Sequence, residues 1–366
     1  MQELIKKTTL YGAIYLAVAM CAIVYFGVTG KAQDIDEKTE VIAEIDEETD
    51  KVNEAYEVVE TDTSDILVEK KDNSSEYIMI PLPDGVVSSD ILIENHYMDY
   101  QLKVLIKNVE ADFFAQNKIV CKKDNIKEGH CEKTDEGVSL CFATDDVYEY
   151  RTVLENNSLY VTFYSPKEIY DKIIVIDAAC GGDDAGCENE NSASSSSANA
   201  SVSYLCEKDI VLEITKKIKS IMDEDETIKV YYTRLDDVNP KDDVRINLAN
   251  SIKADAYIRI EVDYSEDASI YGITCKYNDS YFIPGFGNVE LSDLIEKSVT
   301  TSVKGRALGL FRADISDTTL IKASVPATTV LVGYLSNKQE AILLGREDYL
   351  EKIARGIVDG IYQIYE

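Results

Sequence analysis

The chain has 366 residues, of which 68 are acidic, 37 are basic and two are histidine, so its formal net charge is -31. An apolar fraction of 45% is typical of globular proteins and excludes a largely disordered or fibrous chain. The acidity argues against nucleic acid as a partner, because phosphate backbones are bound by clustered Lys and Arg. Both histidines, His96 and His130, lie in the first half, so any chemistry after residue 130 proceeds without an imidazole.

An uncharged run occupies residues 8–30 near the amino end of the chain. A helix of this length extends about 34 Å, enough to cross the hydrocarbon core of a membrane. Lys6 and Lys7 precede the run, and the residues after it are acidic, so the positive-inside rule predicts a cytoplasmic tip at 1–7. The alternative is a cleaved signal peptide, whose apolar core usually has about 7–15 residues. We predict a single-pass protein of the cell membrane, with the bulk of the chain on the extracytoplasmic side.

The next segment, residues 31–76, carries 17 acidic and five basic residues. Its apolar residues are scattered, and charges of one sign repel each other, so it is predicted to be an extended or partly helical spacer. A cation-binding or partner-binding tail is the alternative.

Residues 77–166 have the pattern of a small β-rich domain. Short apolar or alternating runs (YIMIPL, DILIEN, QLKVLIK, VSLCFAT and SLYVTFY) are separated by Asp, Asn, Gly and Pro. This arrangement predicts a spacer or a binding platform between the anchor and the carboxy-terminal domain.

The histidines and three cysteines of this β-rich domain do not indicate a catalytic group. His96 and His130 are interpreted as ordinary surface residues. The ten-residue spacing of Cys121, Cys131 and Cys141 is interpreted as hairpin geometry rather than as a metal site.

From residue 171 to residue 366, predicted strands alternate with predicted helices. KIIVIDAA is a continuous apolar run typical of a strand buried on both faces. A Ser-rich insert at 188–203 is predicted to be a loop. The remaining predicted elements are, in chain order, the helix EKDIVLEITKKIKSIM, the strand TIKVYYTR, the helix DDVRINLANSIKAD, the strand AYIRIEVD, the helix ELSDLIEKSVTTSVKG, the strand ATTVLVGYL and the helix EDYLEKIARGIVDGIYQIY. This order predicts an α/β fold with a mostly parallel twisted sheet and helices on both faces.

Six ordered blocks in this region resemble the zinc-dependent N-acetylmuramoyl-L-alanine amidases, which have a single α/β catalytic domain. The blocks are VIDAACGGDDAG, EKDIVLEI, VYYTRLDD, DDVRINLANSIKAD, AYIRIEVD and PATTVLVGYLSNKQEA. The resemblance implies a role in peptidoglycan metabolism, with peptidoglycan or its stem peptides as the partner. It also implies a zinc ion held by two histidines and a glutamate, with a second glutamate as general base.

Carried over residue by residue, the resemblance retains only one of these four positions. Cys180 and Glu261 stand at the two histidine positions. In the family, the strand that carries the second histidine ends in Ser-Ile-His, where this chain has Arg259, Ile260 and Glu261. Glu207 is kept at the glutamate ligand, and Leu331 stands at the general base. Enzyme activity is therefore left open by the resemblance.

The altered positions allow more than one chemistry. Cys180, Glu207 and Glu261 could form a thiolate–dicarboxylate zinc site, because all three side-chain types bind zinc. A disulfide from Cys180 to Cys187 or Cys206 is the alternative. Glu207 is also favoured at a helix amino terminus by the helix dipole, whether or not a metal is bound.

Eight further residues match family positions and are predicted to support the fold. Their predicted roles include a strand-end turn, a helix-to-sheet salt bridge and a helix cap. They are Asp177, Gly181, Gly182, Arg234, Arg245, Asn250, Ser336 and Asn337.

Three functions remain after this sequence comparison. The favoured one is a non-catalytic, anchored and exported member of the amidase family that binds cell wall or regulates an active hydrolase. The second is an active peptidoglycan amidase with an unusual metal site, in which Asp183, Asp184 or Asp263 would accept the proton. The third is a structural protein of cell-envelope assembly.

Overall fold

A computed structural model describes residues 63–65, 68–70, 77–121, 126–189 and 204–366. The predicted anchor at 8–30, most of the predicted spacer and residues 190–203 of the predicted Ser-rich insert lie outside these described residues. Within the described residues, no helix combines the length and the apolar character that crossing a membrane requires.

Two five-stranded sheets form the first part of the described chain. Their strands are β1 (Thr63–Asp65), β2 (Val68–Lys70), β3 (Tyr77–Pro81), β4 (Ile91–His96), β5 (Gln101–Lys107), β6 (Ile119–Cys121), β7 (Ile126–Lys133), β8 (Gly137–Thr144), β9 (Glu149–Glu155) and β10 (Ser158–Tyr164), with short helices α1 (Asp112–Gln116) and α2 (Pro166–Ile169).

The strand order is β1-β7-β8-β5-β4 in the first sheet and β2-β6-β3-β10-β9 in the second. Alternate residues of both sheets, such as Val104 and Leu140 from the first and Ile80 and Val161 from the second, share one buried core. The two sheets therefore form a sandwich, and β1 and β2 join it from within the predicted acidic spacer.

A six-stranded sheet with flanking helices forms the second part. Its elements are β11 (Ile173–Ala178), α3 (Glu207–Met222), β12 (Lys229–Tyr232), α4 (Asp242–Ser251), β13 (Ala256–Asp263), β14 (Ile273–Tyr277), α5 (Asn288–Val303), β15 (Ala307–Arg312), α6 (Thr318–Ile321), β16 (Ala327–Tyr334), α7 (Lys338–Leu344) and α8 (Glu347–Gln363).

The strand order of this sheet is β12-β11-β13-β16-β14-β15, and only the β14–β16 pair is antiparallel. Alternation along β11 places Ile174 and Ile176 in one core with α3, α5 and α8. The same alternation places Ile173 and Val175 in a second core with α4 on the opposite face. The predicted α/β fold with helices on both faces is confirmed. The sequence prediction did not include strands β14 and β15.

The sandwich contacts the edge strand β12 of the α/β sheet. The Tyr97 hydroxyl donates a hydrogen bond to the Tyr232 carbonyl at 2.8 Å, and its ring meets the Tyr231 ring edge-on at 5.1 Å. Glu149 accepts a hydrogen bond from the Tyr231 hydroxyl and pairs with Lys229 at 3.2 Å. These buried polar contacts fix the sandwich to one edge of the sheet.

Candidate functional site

The predicted site residues lie where the central strands β11 and β13 end and helix α3 begins. Ligands bind α/β sheets at the carboxyl ends of their strands, so this edge is the expected place for chemistry. The loop after β11 carries Cys180, helix α3 opens with Glu207, and β13 carries Glu261 near its end.

The turn after β11 depends on left-handed backbone conformations. Cys180, Gly181 and Gly182 have φ angles of 58°, 128° and 54°. A Cβ on Gly181 would lie 2.1 Å from the Val238 carbonyl oxygen, so only glycine fits there. Burial, together with the nearby carboxylates of Glu207 and Asp184, raises the pKa of the Cys180 thiol to about 12. A metal ion bound at this position would therefore have to displace the thiol proton of Cys180.

Glu207 is buried at the start of α3 and is held by backbone donors. Its carboxylate accepts hydrogen bonds from the N–H of Cys187 at 3.0 Å and the N–H of Val262 at 3.1 Å. The Val262 N–H is available because β13 has an irregular register between residues 261 and 263. Burial raises the pKa of Glu207 to about 7; the two backbone donors oppose this rise, and the neighbouring Glu261 adds to it.

Glu261 is paired with protein cations. Arg259 lies two residues earlier on the same strand face, and its Nε is 2.7 Å from Glu261 Oε1. Lys276 Nζ lies 3.8 Å from the other carboxylate oxygen. The position that carries a histidine in the resembling family is thus occupied by an internal ion pair.

Asp177 links this ion pair to the interior of the sheet. It is fully buried and pairs with Arg245 Nη1 at 2.6 Å and Arg259 Nη1 at 2.8 Å, and it accepts hydrogen bonds from the Thr233 and Tyr257 hydroxyls. Burial by itself raises the pKa of Asp177, but the two guanidinium groups outweigh it and hold the pKa well below its usual range. Asp177 is therefore a structural anion, compensated from two sides.

The other matched positions brace the backbone around the site. Arg234 donates to the carbonyls of Ala178, Ala179 and Lys208 at 2.8–2.9 Å. Arg245, on helix α4, also donates to the Cys180 carbonyl at 2.8 Å. These bonds fix the path of the turn that carries Cys180.

Three polar residues at matched positions stabilise loops that lie outside this centre. Asn250 accepts from the Ser324 N–H at 2.8 Å, and the Ser336 hydroxyl accepts from the Ser265 N–H at 3.0 Å. Asn337 caps helix α7 by accepting from the N–H groups of Gln339 and Glu340.

The general-base position offers no proton acceptor. Leu331 is 1% exposed and lies opposite Glu261 in the parallel register of β13 and β16. An apolar side chain buried beside the site cannot exchange a proton with a water or a substrate amide.

The residues present do not fit a tetrahedral zinc ion. Ligand atoms around zinc lie about 3.3–3.8 Å apart, given metal–ligand distances of about 2.0–2.3 Å. Cys180, Glu207 and Glu261 do not form a group whose ligand atoms all lie within 4.8 Å of one another. Glu207 accepts hydrogen bonds from two backbone N–H groups, and Glu261 is paired with a guanidinium group.

Neither proposed disulfide of Cys180 is formed, and the three cysteines near the site are free thiols. The Cys187 thiol donates to the Val262 carbonyl at 3.2 Å, and the Cys206 thiol donates to Asp209 at 3.1 Å.

Two groups were missed by the sequence interpretation. One is the Arg259–Asp177 contact, which the period of two along β13 and its pairing with β11 would have indicated. The other lies in the sandwich, where the ligand atoms of His130, Glu132 and Cys141 lie within 4.8 Å of one another. A cross-strand pairing places His130 opposite Cys141, and the His130 side chain is 36% exposed, so its interpretation as an ordinary surface residue stays a prediction.

The α/β part is similar to proteins of one family. A family model described as N-acetylmuramoyl-L-alanine amidase matches residues 174–363. The chain is 31% identical over 196 residues to an endolysin of Bacillus phage SPP1, covering 53% of this chain and 66%, just under two thirds, of the endolysin. It is 25% identical over 211 residues to the germination-specific N-acetylmuramoyl-L-alanine amidase of Bacillus subtilis strain 168, covering 53% of this chain and 80% of that protein.

Among solved structures, one similar protein is the catalytic domain of CwlV, an N-acetylmuramoyl-L-alanine amidase from Bacillus (Paenibacillus) polymyxa var. colistinus. It is 25% identical to this chain, with a TM-score of 0.46, and the match covers 52% of this chain and 97% of that domain.

Proposed function

This chain belongs to the N-acetylmuramoyl-L-alanine amidase family, and on that basis we propose that it is a non-catalytic member that binds peptidoglycan or its stem peptides. In this proposal it is exported, anchored in the cell membrane by residues 8–30, and presents its α/β part to the wall. Regulation of an active hydrolase would follow from occupying the same substrate.

The observation that carries the proposal is the ion pair between Arg259 and Glu261. At 2.7 Å, the guanidinium group neutralises the carboxylate that stands where the family has its second histidine ligand. A zinc ion there would meet a fixed positive charge and a carboxylate already hydrogen-bonded. Hydrolysis by the family chemistry needs that metal and a general base, and Leu331 provides none.

The retained scaffold supports binding. The carboxyl edge of the sheet keeps its glycine turn and its bracing arginines, and the loop between β13 and β14 adds two partly exposed aromatics, Tyr264 and Tyr271. An aromatic side chain with an apolar face and a polar tip suits contact with a sugar or a peptide. A change of ligands at the metal position leaves this surface in place.

The test is co-sedimentation of the full chain with purified peptidoglycan sacculi, with soluble muropeptides measured in the supernatant. We expect the chain to pellet with sacculi and to release no stem peptides, with or without added Zn²⁺. Release that a chelator abolishes would overturn the proposal in favour of an active amidase with an unusual metal site.

A matched pair of variants localises the binding surface. Tyr264→Ser changes the carboxyl edge of the sheet, whereas Tyr281→Ser changes a similarly exposed tyrosine after β14, at the opposite edge. We expect weaker sedimentation for Tyr264→Ser and unchanged sedimentation for Tyr281→Ser. Equal binding by both variants would contradict this placement, and absence of binding by the unmodified chain would favour the structural role.

A further inference from the structure

We propose that His130, Glu132 and Cys141 form a metal site for Zn²⁺ or a similar borderline divalent cation on the outer face of the first sheet of the sandwich. This site is separate from the amidase-like centre, and its residues belong to strands β7 and β8.

The strand geometry brings the three side chains together. His130 and Glu132 are two residues apart on β7, so both point to the same face of the sheet. Cys141 on β8 is the cross-strand partner of His130, and directly opposed residues have Cβ atoms about 4.5–5.5 Å apart. The neighbouring residues Cys131 and Leu140 point the other way, into the sandwich core. Three ligand types therefore converge on one side of a rigid hairpin.

The spacing and the chemistry of the three groups match a zinc site. His130 Nε2 lies 3.1 Å from Glu132 Oε1, and all three ligand atoms lie within 4.8 Å of one another. Ligands of a tetrahedral zinc ion are about 3.3–3.8 Å apart, so small rotations of the side chains suffice. Imidazole nitrogen, carboxylate oxygen and thiolate sulfur are the three ligand types that proteins use for zinc.

The burial and charge of the group also favour a dication. Cys141 is 1% exposed, although it lies on the face that points away from the sandwich core. The side chains of His130 and Glu132 are 36% and 31% exposed, which leaves a path to solvent and room for a water as fourth ligand. A thiolate and a carboxylate together balance the two charges of Zn²⁺.

The proton that metal binding releases comes from the Cys141 thiol. Burial raises the pKa of Cys141, and Glu132 adds to this rise; the Ser139 hydroxyl, 3.7 Å from the sulfur, and Lys103, the partner of Cys141 on β5, act in the opposite direction. Metal binding at neutral pH replaces the thiol proton: the S–H bond breaks, the S–metal bond forms, and one proton leaves to solvent.

The same sheet contains a natural control for the site. His96 and Glu94 on β4 have the same two-residue spacing, and His96 Nε2 lies 3.2 Å from Glu94 Oε2. Their cross-strand partners are Gln101 and Lys103 rather than a cysteine. A metal bound by a histidine–glutamate pair alone would bind both places equally, whereas the proposed site requires the thiol.

The experiment measures Zn²⁺ and Co²⁺ binding to the full chain by calorimetry and by the near-ultraviolet thiolate-to-cobalt charge-transfer absorption. The variants are Cys141→Ser and His130→Asn, with His96→Asn and Cys180→Ser as controls. We expect about one ion per chain, and affinity reduced by about tenfold or more in the first two variants only. The charge-transfer band should disappear in Cys141→Ser and persist in both controls.

Three outcomes would overturn the proposal: no ion bound by the unmodified chain, a band lost in Cys180→Ser but kept in Cys141→Ser, or equal loss in His96→Asn and His130→Asn. Thermal unfolding of each metal-free variant checks its folding. If Cys141→Ser does not fold, the His130→Asn and His96→Asn pair, whose histidines are both partly exposed, decides the result.

Discussion

Glu261 accepts a hydrogen bond from Arg259 on the same strand. Each of the two differs from the residue that the amidase family has at its position. The family ends this strand with Ser-Ile-His, whereas this chain has Arg259, Ile260 and Glu261. Glu261 without Arg259 would lose its closest cation, which is costly for a partly buried carboxylate, whereas Arg259 alone would still pair with Asp177. The two together give an ion pair at 2.7 Å, so they form a coupled exchange of a metal ligand for a salt bridge.

The first prediction concerns the contribution of this ion pair to stability. Arg259→Met removes one of the two guanidinium partners of Asp177 and the closest cation of Glu261. We expect the free energy of unfolding to fall by about 3–5 kcal/mol, as for the removal of one partner from a buried pair. Arg312→Met is the control, because its ion pair with Asp279 is exposed, and we expect a change within about 1 kcal/mol. Denaturant unfolding of both variants measures the difference, and equal losses would contradict the prediction.

The second prediction is that Arg259 opposes zinc at the amidase-like centre. A variant with Cys180→His, Glu261→His and Leu331→Glu restores the family side chains but keeps the guanidinium group beside them. Adding Arg259→Ser removes that charge, while Asp177 keeps Arg245 as its partner. We expect the fourfold variant to bind Zn²⁺ about tenfold more tightly or better, a difference of about 1.4 kcal/mol.

Calorimetric titration with Zn²⁺ compares the threefold and fourfold variants, each combined with Cys141→Ser so that the proposed sandwich site does not contribute. Equal affinities would show that Arg259 has no electrostatic effect on the metal position.

The third prediction follows from the buried carboxyl group of Glu207. Its pKa is raised from 4.5 to about 7 in the folded chain. The unfolded chain therefore loses this proton at lower pH than the folded chain, so the folded state is progressively disfavoured as the pH rises from 4.5 to 7. We expect this group alone to lower the free energy of unfolding by about 3 kcal/mol across that window. Glu207→Gln should flatten the pH dependence by this amount.

Denaturant unfolding at several pH values between about 5 and 8 tests the effect of Glu207, because it gives the slope of the free energy of unfolding against pH. Glu340 provides a parallel case, since burial raises its pKa to about 7 and it accepts hydrogen bonds from the Tyr334 and Gly272 N–H groups. In the double variant with Glu207→Gln and Glu340→Gln, the free energy of unfolding should depend less on pH than in either single variant. A Glu207→Gln variant with the full unmodified slope would refute the assignment.

Most of the α/β elements were predictable because their patterns are local. Helix α3 has the same limits in the sequence and in the structure, since its apolar stripe at Ile210, Ile214 and Ile218 is strongly periodic. Strands β14 and β15 were not predictable in this way. β14 has only five residues and runs antiparallel to β16, and β15 is a partly exposed edge strand with a glycine at its centre.

The candidate sites were predictable only in part, because their contacts join distant strands. The identity of Cys180, Glu207 and Glu261 followed from the resemblance, but the pairing of Arg259 with Asp177 depends on the register between β11 and β13. In the sandwich, the spacing of Cys131 and Cys141 indicated a hairpin, and β7 and β8 form one; because β7 is a largely polar run, its sequence did not indicate the register that places His130 opposite Cys141. A shift of one residue in that register would move Cys141 away from His130.

The fourth prediction tests the glycine turn that supports the amidase-like centre. Gly181 has a φ of 128°, and a Cβ there would lie 2.1 Å from the Val238 carbonyl oxygen and 3.2 Å from Arg234 Nε. Gly181→Ala therefore forces the turn and its bracing arginine to move, and we expect a loss of about 2–4 kcal/mol in the free energy of unfolding. Gly85→Ala is the matched control, because its φ of 93° carries the same kind of backbone strain but a Cβ there meets nothing within 4 Å. Its expected cost is about 1 kcal/mol, so equal losses in thermal or denaturant unfolding would mean that the close approach to Val238 does not contribute.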